Sequence, residues 1–223
     1  MIRIASILYG LFAAGAVLWC WLAGRLPWPL YDPGRVTLPR LALSVGGGLA
    51  LGLAVVALTR LTAHLRWVRG LVHWFREVLG RLSWGQVLAL ALLSATGEEL
   101  LFRGAMQPAW GIVPTTLVFA LLHLPPRFAL CAWTVMAGLL GLAFGYLTRW
   151  TGTIAGAVVA HVVINALNLR HITHEQTHLE QAPIVAGNLP APDPPPSMGD
   201  HEQPSHLCPN AVPGPGPEPG PRQ

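Results

Sequence analysis

Lysine is absent from this chain, and all 14 of its basic residues are arginine. Charged residues of both signs make up only 11% of its 223 positions, against about a quarter in an ordinary soluble domain. That deficit excludes a typical water-soluble globule. The arginines are dispersed between apolar runs, so they do not form a nucleic-acid footprint, and no nucleic-acid partner is expected. The absence of lysine is read as a compositional bias. Cysteine is scarce too: Cys20, Cys131 and Cys208 are an odd, widely spaced set. They exclude a disulfide framework and a zinc-ribbon spacing.

What is there is apolar. Hydrophobic residues reach 52% and the mean hydropathy is +0.48. Six apolar segments can be read, at 3–24, 38–60, 84–107, 111–124, 128–148 and 152–170. Most are long enough for the roughly 30 Å of hydrocarbon in a bilayer, the fourth being shorter. The expected fold is therefore all-α: a polytopic membrane bundle of about six transmembrane helices. The first segment lacks a small-residue cleavage site and reads as a retained span, not a secretion signal. Gly46, Gly47 and Gly48, and later Gly138, Gly141 and Gly145, suit close helix–helix packing.

Arginine placement sets the orientation. Arg60, Arg66, Arg69, Arg76 and Arg81 lie in one connection with a single acid, Glu77, and positive connections stay cytoplasmic. Both termini then fall on that side, and the setting expected is a bacterial inner membrane. Within this connection residues 64–82 interleave Leu, Trp, Val and Phe with Arg and His, the pattern of an amphipathic helix at the interface. Beyond about residue 180 the chain is rich in Pro and Gly and is expected to be disordered. The organisation expected is an N-terminal helix pair with its interfacial segment (1–83), a helical core (84–170) and a tail (171–223).

Polar groups stand where lipid would reject them. Glu98 and Glu99 are adjacent inside the third segment, and an ionised carboxylate at the bilayer centre costs at least about 2.5 kcal/mol. Glu99 and Arg103 are four apart and can pair along one helix face. Glu98 points about 100° away, free to address another helix. On the fourth segment Phe119 and His123 are one turn apart, and on the sixth His161 and Asn165 are, with Asn168 following on the same face. A buried carboxylate near an imidazole can take a proton from water. A second imidazole and an amide suit a developing oxyanion. Alternatively Glu98, His123 and His161 could hold a divalent cation such as zinc, which would activate its own water.

In order, Glu98-Glu99-x-x-x-Arg103, Phe119-x-x-x-His123 and His161-x-x-x-Asn165 resemble the motifs of the CAAX protease and bacteriocin-processing (CPBP) intramembrane proteases. The Ras-converting CAAX endopeptidase is grouped with them. The resemblance covers about residues 84–170. It implies an all-helical membrane fold enclosing a catalytic cavity, with Glu98 and His123 activating water and His161 and Asn165 holding the oxyanion. Glu99, Arg103 and Phe119 would shape the site. The partners it implies are the lipid bilayer and a membrane-associated protein or peptide substrate.

Two other functions compete. His174-Glu175-Gln176-Thr177-His178 matches the zinc-protease pattern His-Glu-x-x-His, but a proline-rich tail follows it with nothing folded to enclose a site. A membrane scaffold or immunity protein could also keep buried polar groups to bind a partner.

Overall fold

The computed structural model describes residues 2–24, 36–125 and 131–174. The chain divides into two units, 1–182 and 183–223, and the second, with most of the expected tail, lies outside the described residues. Each of the six apolar segments contains helix among its described residues, and among the described residues there is no β-strand.

The helices are α1 (Ile2–Leu22), α2 (Leu38–Leu61), α3 (Arg66–Leu79), α4 (Trp84–Glu99), α5 (Gln107–Trp110), α6 (Ile112–Leu122), α7 (Ala132–Thr151) and α8 (Ala155–His174). A π-helical segment, Leu100–Met106, joins α4 to α5 without a break. Four stretches are long and apolar enough to cross a bilayer: α1, α2, the continuous Trp84–Trp110 helix and α8. The fourth apolar segment becomes the 11-residue α6, about 16 Å long and too short to cross alone. α7 has 20 residues and the length to cross, but Arg149 and several Thr and Gly residues dilute its hydropathy.

Local signals set the helix ends. Ser83 starts α4 through a capping box: its Oγ accepts from the Gln86 N–H, and Gln86 Oε1 accepts from the Ser83 N–H. This satisfies two donors that a helix start leaves open. Gly111 separates α5 from α6 at φ +84°, and Gly152 ends α7 at φ +78°. Both lie in the left-handed region that glycine enters without steric cost.

Pairwise contacts give the topology. Gly48 meets Gly156, Gly52 meets Ala160 and Thr59 meets Asn168, so α2 and α8 run parallel. Glu98 meets His161 and Ser94 meets Asn165, so α4 and α8 run antiparallel. Arg103 reaches Gly141 and Gln107 reaches Gly145, placing α7 parallel to the α4–α5 helix. Ile112 and Thr116 face Gly145 and Gly141, closing α6 and α7 into an antiparallel hairpin. Tyr9 lies on Gly97 and Phe12 on Phe102, so α1 follows α4 in parallel.

The glycines serve packing, as expected, but unequally. A Cβ on Gly48 would run into the backbone of Gly156, whereas one on Gly46 would meet nothing within 4 Å. At Gly145 it would come within 2.9 Å of Ile112 and at Gly141 within 3.0 Å of Thr116, but at Gly138 contact is an ordinary 3.6 Å. The outer faces of α1 and α2 expose Ile4, Ile7, Leu11, Leu43 and Leu53, a surface suited to lipid and not to water. The amphipathic segment is α3, which buries Val68 and Leu71 and leaves Arg66 and Arg69 exposed.

Candidate functional site

The charged cluster lies where α4, α6 and α8 meet. Glu98 is 6% exposed, Glu99 0%, Arg103 1% and His161 7%, a concentration of ionisable groups that burial penalises unless each is partnered. Arg103 Nη1 donates to Glu99 Oε1 at 3.3 Å, and Arg103 Nε sits 3.2 Å from Glu99 Oε2 at an angle that makes no hydrogen bond. Arg103 Nη2 donates to the Gly141 carbonyl at 3.2 Å. The guanidinium lies 4.5 Å from the Phe119 ring centre and 5.4 Å from that of Phe144, so aromatic faces enclose the cation. The π-helical segment begins one residue after Glu99, a distortion that recurs at functional sites.

Glu99 has a second partner. His161 Nδ1 lies 2.9 Å from Glu99 Oε1. A carboxylate only accepts, so the proton of that bond is on Nδ1 and the Nε2 edge faces away from Glu99. His123 is arranged alike: its Nδ1 lies 2.7 Å from the Phe119 carbonyl, which also only accepts. His123 therefore caps its own helix with one nitrogen and presents the other to the cluster.

Both Nε2 atoms face one carboxylate oxygen. Glu98 Oε2 stands 3.9 Å from His123 Nε2 and 3.9 Å from His161 Nε2, and no hydrogen bond within the protein reaches it. With neutral imidazoles these are three acceptors converging without a donor. The separations are too long for direct hydrogen bonds but match a bridging water about 2.8 Å from each atom. His123 is the outward member, with its side chain 21% exposed against 8% for Glu98.

Two carboxylates and one guanidinium leave the cluster one negative charge in excess. In a weakly polar surrounding this favours one further proton, on Glu98 or on an imidazole Nε2. As for a metal, among the described residues no group of three His, Cys, Asp or Glu side chains is arranged to hold one. Ligand atoms around a tetrahedral zinc lie about 3.4 Å apart, and the 3.9 Å separations at Glu98 are wider.

Of the residues singled out in the sequence, Glu98, Glu99, Arg103, Phe119, His123 and His161 come together. Asn165 lies one turn from His161, and its Nδ2 donates to Ser94 Oγ at 2.9 Å, leaving its second N–H. Asn168 departs from the group: its Oδ1 accepts from Thr59 on α2 at 3.1 Å. His174 ends α8, and Glu175 to His178 lie outside the described residues. Sequence reasoning missed four contributors. Ser94 is one turn before Glu98 and carried a legible spacing. Gln107, 2% exposed, donates to the Gly145 carbonyl. Trp133 sets its ring 5.9 Å from His123. Tyr9, on α1, lies against Gly97, the residue before Glu98. No local spacing marks the last two.

Residues 80–167 match the family described as type II CAAX prenyl endopeptidase Rce1-like, as the three motifs had implied. The matched stretch contains every member of the charged cluster and leaves α1 and α2 outside. The uncharacterized protein YpbD of Bacillus subtilis (strain 168) is 30% identical over 108 residues, 48% of this chain and 56% of that protein. The chain thus spans little more than half the length of this relative. No solved structure matches it.

Proposed function

We propose that this chain is an intramembrane endopeptidase of the CAAX-protease type, hydrolysing a peptide bond in a membrane-associated protein or peptide. The observation that supports this best is the convergence of Glu98 Oε2 with His123 Nε2 and His161 Nε2 inside a buried, otherwise compensated cluster. The additional proton resides on His161 Nε2, between the two carboxylates, which leaves Glu98 ionised and able to act as a base. Water bound between Glu98 and His123 gives its proton to Glu98 as its oxygen attacks the scissile carbonyl. The oxyanion that forms is met by His161 Nε2–H and the second N–H of Asn165. Glu98 then passes the proton to the departing amine as the C–N bond breaks, and a carboxylic acid and an amine leave. Glu99 and Arg103 exchange no proton; they orient His161, as does Phe144, whose ring lies 5.7 Å away.

The setting is a bacterial inner membrane with both termini cytoplasmic, supported by the arginines between α2 and α4. His123, as the more exposed side of the site, is where substrate enters.

The test is cleavage of a panel of lipidated and unlipidated peptides by the purified, detergent-solubilised protein and by Glu98→Gln, with and without a chelator. Cleavage should be lost in Glu98→Gln, by at least about 10³-fold, the scale on which essential catalytic groups act. Cleavage that survives Glu98→Gln sinks the assignment, and loss after truncation beyond residue 172 would move the chemistry to His174 and His178. Sensitivity to the chelator would transfer water activation to a metal. A protein that cleaves nothing while inserting normally would point to the scaffold alternative.

A further inference from the structure

Arg40 and Arg149 stand apart from the buried cluster. Both line one open cavity of about 390 Å³, together with Tyr146 and Trp150. Arg40 is in the first turn of α2, four residues before Ser44, which packs on Gly156 and accepts from Thr151. Tyr146, Arg149 and Trp150 lie near the end of α7 at spacings of three and four, so they share a helix face. All four side chains are exposed. Arg103 reaches Gly141 and Gln107 reaches Gly145, a register that brings Arg149 level with the end of the Trp84–Trp110 span. The cavity therefore opens where hydrocarbon gives way to headgroups, the layer in which Trp and Tyr concentrate.

No side chain compensates this pair. Among the described residues the acidic side chains are Glu77, Glu98 and Glu99. Glu98 and Glu99 belong to the buried cluster, and Glu77 pairs with His73 at 3.2 Å on α3. That helix docks at the far end of the bundle, where Arg76 donates to the Ile172 carbonyl. From Gly156, beside Ser44, to Ile172, α8 rises about 24 Å. Neither Arg40 nor Arg149 makes a hydrogen bond or ion pair among the described residues. Arg40 also stands at a helix start, where the macrodipole is already positive and disfavours a cation. Two like charges on one cavity repel, and an anion shared between the guanidinium forks removes that repulsion. At the bilayer surface the anion at hand is a lipid phosphate.

We propose that this cavity binds the phosphate diester of an anionic phospholipid, held between Arg40 and Arg149 and thereby joining the start of α2 to the end of α7. Tyr146 adds a neutral donor to the lining, and Trp150 adds apolar surface for the lipid's glycerol and first acyl carbons. A zwitterionic lipid carries its own cation beside the phosphate and compensates the pair less well. The arginines of the opposite end take no part, and the site binds lipid whether or not the chain cleaves a peptide.

The experiment titrates the full chain, purified in a neutral detergent, with dihexanoyl phosphatidylglycerol, dihexanoyl phosphatidylcholine or inorganic phosphate. Bound lipid is counted by native mass spectrometry, and the unfolding temperature, which a ligand of the folded state raises, is the second readout. Phosphatidylglycerol should be retained and should raise that temperature, with phosphatidylcholine and inorganic phosphate doing so far less. In Arg40→Gln/Arg149→Gln its affinity should fall at least about tenfold, the scale of a lost hydrogen bond to a charged group. Arg66→Gln/Arg69→Gln, at the other end, should bind as the unmodified chain does. Equal retention of the two lipids overturns the proposal, and that comparison uses the unmodified chain, so it stands whatever a substitution does to folding. Stabilisation by inorganic phosphate as strong as by phosphatidylglycerol overturns the lipid as the source of the anion. Equal losses in the two double variants overturn the cavity in favour of attraction by net charge.

Discussion

α8 meets α2 on one side and α4 on another, by opposite means. Towards α2 it presents Gly156, against which Gly48 and Ser44 pack, and Ser44 Oγ accepts from the Gly156 N–H at 2.9 Å. Thr151, just before α8, donates to the same Ser44 Oγ at 3.1 Å. Over that stretch the contact is between small residues and backbone. Towards α4 it presents His161 and Asn165, which meet Glu99, Glu98 and Ser94 across buried side-chain contacts. In lipid there is no hydrophobic drive between helices, so close packing and polar contacts must hold the bundle together. The α2 side uses both at small cost. The α4 side accepts buried charge, which structure alone does not require, and this asymmetry is the ground on which we propose it as the functional face.

Three substitutions bear on that contrast. The largest effect is expected from Glu99→Gln, which leaves Arg103 charged and buried with its main partner gone. Loss of one member of a buried pair costs about 3–5 kcal/mol, and cleavage should disappear with the His161 orientation. Thermal unfolding in detergent, read beside cleavage, checks this; an unchanged midpoint would mean that the pair carries none of the stability. Next is Gly156→Ala, whose methyl group would press on Ser44 and Leu147. Overpacking of this kind costs about 1–3 kcal/mol, yet turnover per folded molecule should persist. If turnover collapsed while the midpoint held, the two faces of α8 would not be separable. The smallest is Ser94→Ala, which removes one hydrogen bond between α4 and α8. About 1 kcal/mol of stability should go, with a reduction of only a few-fold in kcat because Asn165 retains its amide. A loss as complete as that expected of Glu98→Gln would place Ser94 within the chemistry.

Much of this site could be read from the chain because its pairs lie one helical turn apart. Glu99 with Arg103, Phe119 with His123 and His161 with Asn165 share a face in any α-helix, so each pair was legible before any tertiary contact was known. The same reasoning failed at Asn168. Seven residues from His161 keeps it near the same face, but α8 is flanked on two sides, and Asn168 falls to Thr59 on α2. Among the glycines, sequence could mark a triplet at 46–48 but not select Gly48, because the crossing point of two helices is set by both.

What the sequence determined by itself was the class of molecule and the local pairs: apolar runs demand helices in lipid, since backbone groups there must bond within their own segment, and turn spacing places side chains together. The tertiary structure alone decided the rest. It chose which nitrogen of each histidine faces Glu98, through the acceptors at Phe119 and Glu99. It laid α1 against α4 at Tyr9, some ninety residues away in the chain, through the bare position at Gly97. Such contacts join segments distant in the chain, and no local periodicity encodes where one helix will cross another.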